Sequence, residues 1–251
     1  MCIRDSSHTA VYVVSASELV MEGIDSQNGL SAGSVLKQSG PFNNGSLNGL
    51  TVAYYQAVDG ADESGASIIH FDGNGNSNFL AEDDDNAGVI TQKTPSQGTY
   101  TVAANGAVST SGGGPVGFLI SQNKAFLVGT GNSPAFDWIE PQTGGPFSNA
   151  SIAGTYAGGS LPPLDYANAH NELNVGPADG LGTLTLNGDS SGAGGLDQWF
   201  NYIINYSIAS NGRGTAPGNP SGSEGVFYVI SPTKWIVLMP KTDARMDVFT
   251  H

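Results

Sequence analysis

The chain has 251 residues and a formal net charge of −14; only 12 % of residues are charged, and 36 are glycine. This acidic excess argues against nucleic-acid binding, which needs Lys and Arg on phosphates, and an anionic membrane surface would repel it. A hydrophobic fraction of 39 % excludes an acidic disordered chain, and no apolar run approaches the roughly 20 residues of a membrane-spanning helix, so membrane insertion is not expected.

Residues 1–6, Met1-Cys2-Ile3-Arg4-Asp5-Ser6, are similar to the translation of a transposase adapter used in sequencing libraries, and are set apart from fold reasoning as a scar. The single cysteine, Cys2, falls within them, so the rest of the chain holds no thiol for disulfide or thiolate chemistry. Residues 7–37 carry the expected strands Val11–Ser15, Glu18–Glu22 and Leu30–Lys37. These are too few to close a barrel, and they predict the C-terminal remnant of a truncated module.

Residues 38–141 predict a complete β module. Thr51–Val58 and Ser67–Phe71 are strands, and Asp72-Gly73-Asn74-Gly75 is a tight turn into Asn76–Glu82. Thr99–Ala103 follows, then Asn105-Gly106 and Ala107–Thr110, the hairpin Val116–Ser121 with Lys124–Val128, and Ala135–Glu140. Asp-Gly and Asn-Gly supply the positive φ angles of hairpin turns. About eight short antiparallel strands joined by local turns predict an all-β up-and-down meander, closed as a barrel or a sandwich. Residues 142–251 predict a second such module. Leu164–Leu173 has room for a turn or two of helix, although it aligns with a loop and strand of the first copy.

Self-comparison supports this tandem reading. Gln38-Ser39-Gly40-Pro41-Phe42-Asn43-Asn44 matches Gln142-Thr143-Gly144-Gly145-Pro146-Phe147-Ser148-Asn149, and Tyr100-Thr101-Val102-Ala103-Ala104-Asn105-Gly106 matches Tyr206-Ser207-Ile208-Ala209-Ser210-Asn211-Gly212. Val11-Tyr12-Val13-Val14-Ser15, Gly117-Phe118-Leu119-Ile120-Ser121 and Phe227-Tyr228-Val229-Ile230-Ser231 form a third station. Order and spacing persist with a period of about 105 residues, the size of a small domain with its own core. The last strands, Phe227-Tyr228-Val229-Ile230 and Trp235-Ile236-Val237-Leu238-Met239, are continuously apolar rather than alternating. A strand with one face in water alternates, so both faces of this hairpin are expected to be covered, the outer one by a neighbouring module in preference to a crossing loop or another chain.

The string Gly65…Phe71-Asp72-Gly73-Asn74-Gly75-Asn76…Gly98-Thr99-Tyr100-Thr101-Val102…Asn105-Gly106, together with Gly145-Pro146-Phe147-Ser148-Asn149-Ala150-Ser151-Ile152-Ala153-Gly154-Thr155-Tyr156, resembles modules repeated in large uncharacterised exported proteins of soil bacteria. The resemblance implies a secreted or cell-surface bacterial protein with a structural or adhesive, non-catalytic role, whose partners are neighbouring modules of the same chain. By strand count alone the meander is also similar to avidin-like and lipocalin-like barrels. That likeness is topological and carries no function.

Candidate sites are few. Gly188-Asp189-Ser190-Ser191-Gly192 fits the nucleophile pattern G-x-S-x-G. A serine hydrolase at Ser190 would need a strained turn or a His–Asp pair; His170 is the only central histidine of its module, and the repeat predicts a loop for both. Asp72, Asn74 and Asn76 alternate like the start of a calcium loop, with Asp83 and Asp84 one strand away as further oxygen ligands. Against calcium, Asp-Gly-Asn-Gly is already explained as a turn, and Asp179-Gly180-Leu181-Gly182 lacks the ligand-rich pattern. His8, His70, His170 and His251 have no metal-ligand spacing. Trp138, Trp199 and Trp235 are candidates for stacking on a glycan or lining a small-ligand barrel, and equally good core fillers; of these, Trp138 and Trp235 are retained as ligand-binding candidates. No catalytic residue and no cofactor is expected. The leading expectation is a structural or adhesive module; the alternatives are a carbohydrate or small-ligand binding barrel and the hydrolase at Ser190.

Overall fold

Short apolar runs between Gly- and Asn-rich turns leave the backbone little choice but strands and tight reversals. The computed structural model describes residues 9–23, 32–57, 63–130, 135–161, 171–192, 194–217, 225–240 and 246–251. It is all-β: among the described residues the only helical segments are short 3-10 turns at Asn44–Ser46, Ser111–Gly113 and Asn149–Ile152. The chain divides into two units, Met1–Gly40 and Pro41–His251.

In the first unit, β1 (Thr9–Ser15), β2 (Glu18–Gly23) and β3 (Ala32–Leu36) form one antiparallel sheet. Ser15 Oγ accepts the Ser17 N–H across the β1–β2 turn at 3.2 Å. Val11, Tyr12, Val13 and Val14 are exposed in this unit.

The second unit begins with β4 (Asn48–Ala57), β5 (Glu63–Asp72), β6 (Asn76–Asn86), β7 (Val89–Gln92), β8 (Ser96–Val102), β9 (Ala107–Thr110), β10 (Val116–Ser121), β11 (Lys124–Val128) and β12 (Ala135–Pro141). Eight of these close an antiparallel barrel in the order β4-β5-β6-β8-β9-β10-β11-β12, with β12 pairing back onto β4. The short β7 folds back on the end of β6 and was not foreseen from sequence.

There follow β13 (Gly154–Ser160), β14 (Asn171–Ala178), β15 (Thr183–Gly192), β16 (Gly195–Asn205), β17 (Ser207–Ile208), β18 (Arg213–Ala216), β19 (Gly225–Ser231), β20 (Lys234–Leu238) and β21 (Met246–Thr250). They make a curled sheet in the order β16-β15-β14-β13-β21-β20-β19-β18-β17. Its edge strands β16 and β17 follow one another in the chain, separated only by Tyr206. Residues 164–170 of the possible helical turn lie outside the described residues, and Asn171–Leu173 open β14.

Matching residues make matching bonds in the two sheets. Asn44 Oδ1 accepts the Val102 N–H, and Asn149 Oδ1 accepts the Ile208 N–H, both at 2.8 Å. The Tyr100 hydroxyl donates to Asn44 O at 3.0 Å, and the Tyr206 hydroxyl to Asn149 O at 3.3 Å. Leu47 and Ile152 follow or end their 3-10 turns and are fully buried. In both sheets this segment is therefore latched by an asparagine and a tyrosine.

Three hydrophobic clusters hold the second unit. One fills the barrel with Ile69, Phe71, Tyr100, Leu119, Leu127 and Ile139. Another lies within the curled sheet, around Tyr156, Leu184, Phe227, Trp235 and Phe249. The third belongs to both. Val52, Tyr54, Ala66, Ile68 and Ala81 on β4–β6 meet Val226, Tyr228, Ile230, Ile236, Leu238 and Met246 on β19–β21. Each such side chain contributes roughly 1.5–3 kcal/mol on full burial. The continuously apolar hairpin thus has its explanation: one face fills its own sheet and the other fills this shared core.

Candidate functional site

The shared face is built from period-two alternation on β19 and β20. Phe227, Val229, Trp235 and Val237 lie in the curled sheet's own core, while Val226, Tyr228, Ile230, Ile236 and Leu238 lie in the shared one. Two polar groups flank the apolar contact. Asp83, fully buried on β6, accepts Arg213 Nε at 2.7 Å and Nη2 at 2.8 Å, and the Tyr228 hydroxyl at 2.5 Å. Hydrogen bonding to Asp83 raises the Arg213 pKa, and burial, reinforced by the Asp83 charge, raises that of Tyr228 far above the ordinary phenol range. Both therefore stay donors. On β12, Glu140 accepts the Tyr54 hydroxyl at 2.5 Å and pairs with Lys234 across the face. The connecting segment is pinned as well: Gln142 Nε2 donates to Val229 O at 2.8 Å and to Asn211 O at 3.0 Å, and the Thr143 N–H donates to Ile230 O at 2.9 Å.

A buried ion pair adds little net stability over apolar packing, but breaking one is costly because a charge is left uncompensated. A docking register that left either Asp83 or Arg213 unpaired would therefore be disfavoured. The arrangement can hold the barrel and the curled sheet in a fixed relation. Sequence reasoning missed both polar groups. The available signal was a departure between the matching segments: Arg213 aligns with Ala107, and Tyr228 with Phe118.

The calcium candidates do not converge. Asp72 Oδ1 accepts the Asn74 N–H at 2.7 Å and the Asn76 N–H at 2.9 Å, and Oδ2 accepts Asn76 Nδ2 at 2.6 Å. These bonds hold the Asp72 carboxyl at a pKa of about 2, below its ordinary value. Asp83 is committed to Arg213, and Asp84 to Lys93 at 2.9 Å and Tyr55 at 3.3 Å. Among the described residues no group of three or more His, Cys, Asp or Glu is placed to hold a metal ion. The matching segment of the curled sheet keeps the turn with other residues: Asp179 Oδ1 accepts the N–H groups of Leu181, Gly182 and Thr183 at 2.8, 2.9 and 2.8 Å. The melting temperature is expected to be the same in chelator and in millimolar calcium, since only a ligand of the native state raises it. A calcium-dependent rise lost in Asp72→Ala would overturn this.

Ser190 is not in a loop. It lies within β15, paired with Glu172 on one side and Asp197 on the other. Period-two pairing continues past Gly188, where Gly-Asp-Ser-Ser-Gly had suggested a break. His170 lies outside the described residues. Trp235 is fully buried and stacked on Phe249 with ring centroids 4.0 Å apart, so no ligand surface remains on it. Trp138 is half-buried on the outside of the barrel, stacked on Tyr54 at 5.6 Å and edge-on to Phe136 at 4.7 Å. Trp199 pairs with Gly188, where any Cβ would meet the indole. A groove of about 490 Å3 runs past His70, Asp72, Asn76, Asn78, Gln97 and Thr99, without an aromatic platform.

Asp137 on β12 is in register with Leu127 of the barrel core and with Tyr55. Burial pushes its carboxyl up from 3.8 to about 7. A raised carboxyl favours the fold while protonated, so its contribution is complete below about pH 4 and is lost as pH rises to about 7. Asp137→Asn is therefore expected to be neutral near pH 4 and to gain stability through that window. At about 1.4 kcal/mol per unit the gain reaches at most about 4 kcal/mol. Urea unfolding at a series of pH values checks it, and a constant difference would contradict it.

No helix among the described residues is long and apolar enough to cross a membrane. A scan against protein-family models finds no match for this chain, and a search of curated proteins finds none either.

Proposed function

We propose that the chain is a non-catalytic structural segment of an exported bacterial surface protein, made of tandem copies of one β module over 38–141 and 142–251, with 7–37 as the end of another. In this reading the modules act as a stiff spacer, which sets the reach and orientation of whatever the protein presents. The shared core of β4–β6 and β19–β21 is the observation that carries it, because freely jointed domains have no reason to commit eleven buried apolar side chains and a buried ion pair to each other. The acidic charge and the absence of cysteine after Cys2 agree with an extracellular spacer.

Hydrogen exchange tests the coupling. Amides of Val52 and Tyr54 on β4 and of Tyr228 and Ile230 on β19 are expected to open with one common free energy. Independent opening of the two strands would mean jointed beads and would remove the support for a spacer role.

A further inference from the structure

The shared face uses the outside of β19–β21 from one module and the outside of β4–β6 from the other, which are different surfaces. Each module is therefore left with the one of these two surfaces that the contact does not use. Strand register identifies them. Val116, Phe118, Phe126, Val128, Phe136 and Trp138 on β10–β12 occupy the positions of Val226, Tyr228, Ile236, Leu238, Met246 and Val248. In the second module all but Val248 of that set are buried; in the first, Val116, Phe118 and Val128 are 46 %, 57 % and 47 % exposed. Likewise Ala157, Gly159, Leu173 and Val175 on β13–β14 hold the positions of Val52, Tyr54, Ala66 and Ile68. Leu173 and Val175 are 70 % and 49 % exposed.

We propose that these two surfaces bind each other between copies of this chain, the β10–β12 face of one docking on the β13–β15 face of the next. The proposal rests on the tandem reading above and names the partner that the reading leaves open. Volume is complementary. Phe126 and Phe136 are larger than the residues they match, while Gly159, Ala157 and Val175 are smaller than Tyr54, Val52 and Ile68; Leu173 is larger than Ala66, and Trp138 already packs against the shared core. Asp189 stands at the register position of Asp83. Its counterpart on the docking face is Ala107 rather than Arg213, so contact between chains lacks the ion pair and is weaker than contact within a chain. The surfaces differ, so the contact is heterologous and grows open-ended rather than stopping at a dimer.

Sedimentation of the full chain at rising concentration is the test. The mass is expected to climb past that of a dimer. Phe118→Asp and Leu173→Asp are each expected to be monomeric with an unchanged melting temperature, since both side chains are exposed. Mixed one to one, these variants each retain the face the other lacks, and they are expected to form a dimer and nothing larger. A wild type that stays monomeric overturns the proposal. So does association that survives both variants, or that is lost only in Val13→Asp on β1. The tandem reading fails separately, if Ile236→Asp leaves the melting temperature of the monomer unchanged.

Discussion

Ile236→Asp is expected to lower the unfolding free energy by more than about 4 kcal/mol and to uncouple the barrel from the curled sheet. Truncating a buried isoleucine to alanine already costs about 2–5 kcal/mol, and a carboxylate adds the penalty of an unpaired buried charge. Ile236 is fully buried, and its contacts belong to the shared core rather than to its own sheet. The barrel should therefore keep its own melting transition while the curled sheet loses stability. Its neighbour Val237, 2 % exposed, lies in the curled sheet's private core. Val237→Asp is expected to cost as much, but by unfolding that sheet from within. Calorimetry separates the two, with two transitions for Ile236→Asp and loss of the second sheet's transition for Val237→Asp. An unchanged single transition in Ile236→Asp would mean that the face carries no stability.

The second large effect is at Asp83. Asp83→Ala leaves the Arg213 guanidinium, whose side chain is only 19 % exposed, and the Tyr228 hydroxyl without their acceptor. Breaking a buried pair from one side costs about 3–5 kcal/mol. The double variant Asp83→Leu with Arg213→Met removes both charges together and is expected to recover most of the loss, because the desolvation penalty disappears with them. Urea midpoints of the singles and the double give the coupling energy. Additive losses would contradict the assignment of the pair as a unit. Such a result would point to independent contributions from Asp83 and Arg213 to the packing around them.

Much of the module was legible in the residues. The hairpin strands Val116–Ser121 and Lys124–Val128 fall where Gln122-Asn123 predicted the turn, with Asn123 at a φ of 57°. Asp72-Gly73-Asn74-Gly75 is the turn it reads as, because one carboxylate satisfies the local N–H groups without help from elsewhere. These are short-range devices, and short-range order is what composition and spacing encode. β7 was missed because Val89–Gln92 is too short to show a period. Ser190 was misplaced because glycine and serine suggest a loop, while the neighbouring strands β14 and β16 supply the pairing.

The continuous apolar run on β19 and β20 established from sequence that both faces would be covered. What covers the outer one was decided by tertiary structure. Periodicity groups residues onto a face, but it carries no information about the surface that meets them. Glu82-Asp83-Asp84-Asp85 shows the same division. As a string it is an acidic, water-facing run, and the strand's alternation sends Asp83 and Asp84 to different partners. Only the docking of residues 130 and 145 positions further along turns Asp83 into the buried acceptor of Arg213 and Tyr228.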